Sequence, residues 1–497
     1  MSSWINSKLP MKKTYLILIP LTLWLVQGGL AQAQSDRPNI VLIFIDDMGY
    51  KDTGFTGSDF YQTPNINKLA GEGMIFTNAY AAAGNCAPSR ASLISGQYTP
   101  RHGIYAVGST KRGPVNKMRL EPIPNKQELN PAIYTVAEAM REGGYRTGMF
   151  GKWHLGKTAE TSPKAQGFEV VDTFDPLSNA EFESTKDPKG IYRITSGASK
   201  FMEDNKDRPF FLYVSHHATH MMIQANEDMY AKFKGKAGQY QNNEKYAAMN
   251  AQVDDGVGKL LQKIKDLGIE KNTLVIFTTD NGGLPQSPQN PLRGFKGMYY
   301  EGGIRVPFIA KWPGKIRPGT VNNTPVINQD LFPTFLEAGK VKKPADKILD
   351  GESLTALFGG GDRLKRDAIF WHFPGYLDNS NPGSRDKDFR TRPVTTLRKG
   401  DWKLLLYHEE WVLDGGRAQM EKNNSLELYN LKDDIGETKN LANSNTVKRD
   451  ELLTDLLGKI RETGGKIPSE MNALYGKTLT PEQIKKAKTE AGDADNN

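Results

Sequence analysis

The stretch "NIVLIFIDD" (Asn39–Asp47) decides how the chain is read. From Ile40 to Ile45 it is an unbroken apolar run rich in β-branched side chains, so the strand it predicts is covered on both faces. A strand of that kind belongs inside a parallel sheet flanked by helices. The run ends in two acids, and in open parallel sheets the working residues collect just beyond the carboxyl ends of the strands.

The same grammar repeats on both sides. "PFFLYVS" (Pro209–Ser215) and "NTLVIFTT" (Asn272–Thr279) predict further buried strands, and "RTGMF" (Arg146–Phe150) another. Helical signals alternate with them. "TPNINKLAGEG" has Pro64 near its start and glycines at its end; "TVAEAMREGGY" precedes "RTGMF", and Glu244 to Leu267 is a long helical stretch. The paired acids Asp254 and Asp255 inside it are expected on a solvated face. This alternation implies an α/β fold, a large mostly parallel sheet with helices on both faces.

After about residue 365 the grammar changes. "TTLRKGDWKLLLYHE" is two strand-like runs around a Lys-Gly-Asp turn, "SLELYNL" is a third, and "KRDELLTDLLGKIRETGG" is an amphipathic helix closed by glycines. The expected organisation is a catalytic α/β domain over 34–365, a smaller C-terminal α+β subdomain with an antiparallel sheet over 366–480, and a flexible polar tail over 481–497. No internal repeat is present.

Residues 1–33 read as a cleavable signal peptide. Lys12 and Lys13 precede the apolar run Tyr15 to Val26, and "AQA" (Ala31–Ala33) supplies small residues for cleavage. The run is short for a bilayer span; a buried helix or an anchor is the alternative. No cysteine stands directly after it, so a lipoprotein anchor has no attachment point, and translation starts at Met1 or Met11. Cleavage removes Lys8, Lys12 and Lys13 and no acid, taking the formal charge from +8 to +5. That balance suits a polyanionic substrate without demanding one, and calls for no nucleic acid. The expectation is an exported protein, periplasmic or secreted, with no stable membrane anchor.

Four strand ends carry polar residues: Asp46-Asp47, Asp280-Asn281, Lys152 and His154 in "GKWHLG", and His216, His217 and His220 in "HHATH". Three acids and an amide are hard oxygen ligands of the type preferred by calcium or magnesium. Each set alone has a plainer reading as a turn, a cap or a structural histidine. Their coincidence at the ends of separate buried strands is the functional signal. Cys86, the single cysteine of the chain, stands in "CAPSR" (Cys86–Arg90). Pro88 suits a first helical turn, so Cys86 is expected just outside a helix N-terminus, where backbone N–H groups favour an anion. An inert buried thiol and a reactive nucleophile remain open for it.

At these residues the chain resembles the type I sulfatases of the alkaline phosphatase superfamily. "CAPSR" matches the family's Cys-x-Pro-Ser-Arg signature and "ASLISGQYTPRHG" its continuation; "GKWHLG", "YEGGIRVP", "LRKGDWKLLLY" and "LYNLKDDIGETKNLA" match further segments, from about Pro38 to Leu441. The resemblance implies an alkaline phosphatase-like fold and conversion of Cys86 by a formylglycine-generating or sulfatase-maturating enzyme to formylglycine, whose hydrate is the nucleophile. It implies one calcium ion bound by Asp46, Asp47, Asp280 and Asn281, with the modified Cys86 approaching it. Arg90 and Lys152 would hold the aldehyde hydrate, His154 would be the base that releases sulfate, and His220 and Lys296 would contact the sulfate and the leaving oxygen. Two positions depart from the pattern. "HMMIQ" follows His220 where the family often has proline, which leaves His217 as a competitor, and Phe295 stands where a glycine is common.

Such a site has a coherent chemistry. Attack at sulfur shifts negative charge onto the departing alcohol oxygen, so a nucleophile, a cation cluster and an acid are required. The expected substrate is a sulfated carbohydrate or polysaccharide, with loops Asn179 to Lys200 and Pro374 to Arg392 as candidate pocket rims. A sulfate-scavenging arylsulfatase, a phosphohydrolase or phosphonate hydrolase of the same superfamily, and a non-catalytic binding module are the alternatives.

Overall fold

The run at Asn39–Ile45 forms strand β1, and every side chain from Ile40 to Ile45 is fully buried. Ile40, Leu42 and Phe44 enter one hydrophobic core, and Val41, Ile43 and Ile45 enter another on the opposite face. At about 1.5–3 kcal/mol for each large side chain removed from water, this strand alone is a substantial share of the driving force. The computed structural model that shows this describes residues 37–173 and 186–490, with a few positions before residue 12. The apolar run Tyr15 to Val26, the "AQA" motif, residues 179–185 of the first rim loop and residues 491–497 of the tail lie outside the described residues.

The remaining strands are β2 (Met74–Phe76), β3 (Ala79–Tyr80), β4 (Arg146–Gly151), β5 (Val170–Asp172), β6 (Phe210–Ser215), β7 (Thr273–Thr279), β8 (Ile309–Lys311), β9 (Thr320–Asn322), β10 (Val326–Ile327), β11 (Ala368–Phe373), β12 (Val394–Lys399), β13 (Trp402–Tyr407) and β14 (Leu426–Asn430). Among the described residues the main sheet has eight strands in the order β5-β4-β6-β1-β7-β8-β2-β9. All pairings are parallel except the two made by β8. Helices Cys86–Ser95, Val136–Glu142 and Leu331–Ala338 pack on one face; Pro64–Glu72, Ile191–Asp204 and Glu244–Asp266 pack on the other.

Register is what builds the site. Ile45 pairs with Thr279, so β1 and β7 release Asp46-Asp47 and Asp280-Asn281 side by side. Ser215 pairs with both Phe44 and Gly151, so the chain leaving β4 at Lys152 emerges at the same edge. A second, antiparallel sheet has the order β11-β12-β13-β14. Helix Thr446–Thr463 covers it with Leu452, Leu453, Leu456 and Ile460, and ends at Gly464, whose φ of 72° is the left-handed value that glycine adopts without strain.

Several expectations are corrected. Asp254 is not solvated: it is buried, and its carboxylate accepts the backbone N–H groups of Asn65 and Ile66, capping the helix Pro64–Glu72 from a distant segment. Only Asp255 lies on the outer face, paired with Lys259. The Cys86 helix begins one step earlier than expected, with Asn85 as N-cap and Cys86 in the first turn. Part of the rim loop Asn179 to Lys200 is the helix Ile191–Asp204, whose Ile191, Ile194 and Ala198 are core residues. In the polar tail, Pro481–Glu490 is helical: the Thr480 hydroxyl accepts the Gln483 N–H while the Gln483 side chain accepts the Thr480 N–H, and Pro481 starts the turn. Strand β11, "AIFWHF", was not anticipated.

Candidate active site

Asp46, Asp47, Asp280 and Asn281 are all fully buried where β1 and β7 end. Asp47 takes a left-handed φ of 63°, which turns its N–H onto Asp280 Oδ1 at 3.0 Å. Asn281 Nδ2 donates to Asp47 Oδ1 at 2.8 Å, while Asn281 Oδ1 is buried with no hydrogen-bond partner among the described residues. Cys86 Sγ lies 3.8 Å from Asp47 Oδ1, held there by the first turn of its helix.

Cations interleave with these acids. Arg90, one helical turn beyond Cys86, donates through Nη2 to Asp280 Oδ2 at 2.7 Å and lies 3.4 Å from Asp46 Oδ1. Its Nη1 donates to the Ser215 hydroxyl at 2.6 Å. Lys152 Nζ lies 2.6 Å from Asp46 Oδ2, and Lys296 Nζ lies 2.7 Å from Asp47 Oδ2. His220, about a third exposed at 33%, has Nε2 3.7 Å from Asp47 Oδ2. Its Nδ1 is 2.6 Å from the Met221 carbonyl, which only accepts, so Nδ1 carries hydrogen and Nε2 donates only when the ring is charged. His154 is held at a φ of 64° with a buried Nδ1 that has no partner among the described residues.

Burial pushes the Cys86 thiol up to about 12, against the pull of Lys152 and Lys296. It is therefore a thiol at neutral pH and not a ready nucleophile. Burial also pushes the Asp46 carboxyl up, but Lys152, His220 and Arg90 together hold it well below the ordinary range. Asp280 moves the other way, to about 8, through burial and the nearby Asp46. Burial, reinforced by Lys152 and Arg90, keeps His154 neutral, and burial holds His220 down to about 4.

This donor set fits a hard divalent cation. Oxygens dominate it, one amide oxygen is orphaned, and ligand atoms of Asp46, Asp47 and Cys86 lie within 4.8 Å of one another. A cation there would also relieve the mutual repulsion that raises the Asp280 pKa. The structure thus brings Asp46, Asp47, Cys86, Arg90, Lys152, His220, Asp280, Asn281 and Lys296 into one contact network, with His154 electrostatically coupled to it. Sequence reasoning missed Ser215, which orients Arg90. Its only signal was its place at the end of a run already read as a buried strand.

Residues 38–341 match the Sulfatase family profile. The chain belongs to the sulfatase family. Residues 295–464 of this sulfatase match the N-sulphoglucosamine sulphohydrolase C-terminal profile. The sulfatase is 33% identical to a Formosa agariphila sulfatase, over 83% of this chain and 85% of that protein. It is 31% identical to mouse N-acetylgalactosamine-6-sulfatase, over 69% of this chain and 70% of that protein. Among solved structures it resembles Ps i-CgsB in complex with k-i-k-neocarrahexaose, with a TM-score of 0.69, 27% identity and coverage of 92% and 98% of the two chains. The sulfatase is accordingly a sulfuric ester hydrolase.

Proposed function

We infer that this sulfatase removes sulfate from a sulfated carbohydrate outside the cytoplasm, with Cys86 matured to formylglycine and one calcium ion held by Asp46, Asp47, Asp280 and Asn281. One observation carries the reading: a protonated, buried thiol stands at a helix start beside three buried carboxylates and an orphaned amide oxygen. A thiol is the wrong group for this place, whereas an aldehyde hydrate supplies an oxygen nucleophile. Calcium supplies positive charge that balances the carboxylates and favours oxyanions.

The chain's own residues provide the rest. Arg90, Lys152 and Lys296 oppose Asp46, Asp47 and Asp280 in equal number, so with a divalent ion bound the centre is net positive and suits an anionic ester. Neutral His154, with Nδ1 unpartnered among the described residues, accepts a proton; Lys296 carries one that a departing alcohol can take, and His220 supplies one only while its ring is charged. The carbohydrate assignment is supported by the galactosamine-sulfate name of the mouse relative and by the neocarrahexaose bound to Ps i-CgsB. Export is supported by the N-terminal sequence, and no helix among the described residues is long and apolar enough to cross a membrane. In this reading the catalytic domain runs over 34–365 and the antiparallel subdomain over 366–480.

The test is a screen of sulfate release from defined sulfated oligosaccharides by enzyme coexpressed with a maturating enzyme. Release from at least one saccharide is expected. Turnover of aryl sulfates with none of any saccharide would overturn the carbohydrate reading.

A further inference from the structure

Arg390 sits in the loop Pro374 to Arg392 and differs from the arginines around it. Arg112 pairs with Asp378 at 2.8 Å, Arg385 with Glu410 at 3.4 Å, and Arg392 with Glu410 at 2.6 Å. Arg390 is half-buried and is satisfied only at the margin, by the Lys296 carbonyl at 3.4 Å and the Asn379 carbonyl at 3.5 Å. Among the described residues it has no carboxylate at ion-pair distance. Holding a guanidinium partly out of water with carboxylates only beyond contact, Asp378 being already paired with Arg112, costs free energy, so its retention there calls for an anion.

Its position says which anion. Thr391 Oγ1 donates to the Gly297 carbonyl at 2.6 Å, and Gly297 N donates to the Gly84 carbonyl at 2.7 Å, just before Cys86. Gly297 has a φ of 91°, and a Cβ there would stand 2.6 Å from Arg390 Cδ. The arginine stem therefore crosses the backbone immediately after Lys296, in space that only a glycine leaves. Lys296 bridges the rest of the way, since its Nζ reaches Asp47. Arg390 thus stands about one lysine side chain from the reacting centre, a spacing that suits a second substituent on the same sugar ring or the next one. Burial and Arg112 push its pKa down, against Asp378 and Asp47, so the Asp47 charge is felt at this distance.

We propose that Arg390 forms a second oxyanion subsite, taking a further sulfate or a uronate carboxylate of the substrate beside the ester being cleaved. The proposal rests on the carbohydrate reading and narrows it to polyanionic saccharides. A planar guanidinium fork is matched to either group.

The test compares kcat/KM on hexosamine 6-sulfate glycosides that differ only in a second sulfate, on the same sugar joined to a uronate, and on 4-nitrophenyl sulfate. Wild type should favour the glycosides with the additional anion over the plain one. In Arg390→Ala that ratio should fall on the order of tenfold to a hundredfold, mainly through KM, with Arg390→Lys between. A ratio within one preparation is independent of how much of the variant folds. The arm in which the preference collapses identifies the anion as sulfate, carboxylate or both. An unchanged ratio with saccharides still turned over would overturn the subsite alone. A wild type active on 4-nitrophenyl sulfate and on no saccharide would overturn the subsite together with the carbohydrate reading.

Discussion

Asp280 Oδ1 receives the backbone N–H of Asp47 at 3.0 Å, joining two strand ends that are 233 residues apart in sequence. The bond draws carboxylates together at an edge where repulsion would separate them, and a divalent ion is the natural counterweight. Chelation should abolish turnover and calcium should restore it. Asn281→Ala should lower bound calcium, measured by elemental analysis, and reduce the rate roughly a hundredfold. Full activity in metal-free protein would remove the ion from the site.

Cys86 is expected to lack sulfur in active enzyme. The peptide carrying residue 86 should show the aldehyde mass and react with a hydrazide probe. Because the buried thiol is protonated, with its pKa pushed to about 12, alkylation should be scored after unfolding. Complete labelling of Cys86 in fully active protein would refute the conversion.

His220 and Lys296 compete as the acid that serves the leaving alcohol. Removing the true donor should slow sugar sulfates far more than 4-nitrophenyl sulfate, because an acidic phenol leaves without help. His220→Ala and Lys296→Met, compared across leaving groups of graded pKa, should give one steepened plot and one parallel shift. Parallel shifts in both would mean that neither donates.

Asp254 accepts from Asn65 N at 3.1 Å, from Asn65 Nδ2 at 2.8 Å and from Ile66 N at 2.8 Å. Asp254→Ala leaves helix N–H groups buried and unpaired, and should cost about 1–3 kcal/mol in denaturant unfolding. Asp255→Ala, on the exposed face, should change stability by less than about 0.5 kcal/mol.

Stability should decline in acid through buried histidines. Burial pushes His102 down to about 3, and His216 and His372 down to about 4, from an ordinary 6.5. His102 Nδ1 accepts the Ile104 N–H at 3.1 Å, so the neutral ring is built into the fold. Below pH 6.5 the unfolded chain binds protons that the folded chain refuses, and stability falls by about 1.4 kcal/mol per pH unit per histidine until the folded values are reached. Above pH 6.5 this contribution is complete and constant. His102→Gln should reduce the proton uptake on unfolding near pH 5 by about one, and an unchanged uptake would contradict the assignment.

The alternating architecture and most of the site were legible because they rest on local signals. Strands β1, β6 and β7 are buried on both faces, so their sequences carry no polar interruption, and the polar residues that follow mark their ends. The three acids and the amide, Lys152 and His154 follow such ends directly, whereas Arg90 and Lys296 come only through the family resemblance. Strands β2, β5, β8 and β9 have three residues each, too short for any periodicity to show. By contrast, "AIFWHF" of β11 is closed by Pro374-Gly375, a turn signal, so that strand was legible in the sequence although it was not anticipated.

By itself the sequence determined the buried strands, the order of helices between them, the family, and which side chains gather at the strand ends. Burial and local chemistry leave their mark on neighbouring residues, and neighbours are what a sequence displays. Only the tertiary structure decided that Asp254 caps a helix some 190 residues away, that Ser215 aims Arg90, that His220 rather than His217 stands at 3.7 Å from Asp47, and that Arg390 crosses Gly297 with no carboxylate at ion-pair distance among the described residues. Each depends on register and on the meeting of distant segments. A polar side chain looks the same in sequence whether its partner is water, a distant backbone or an absent anion, and only packing reveals which.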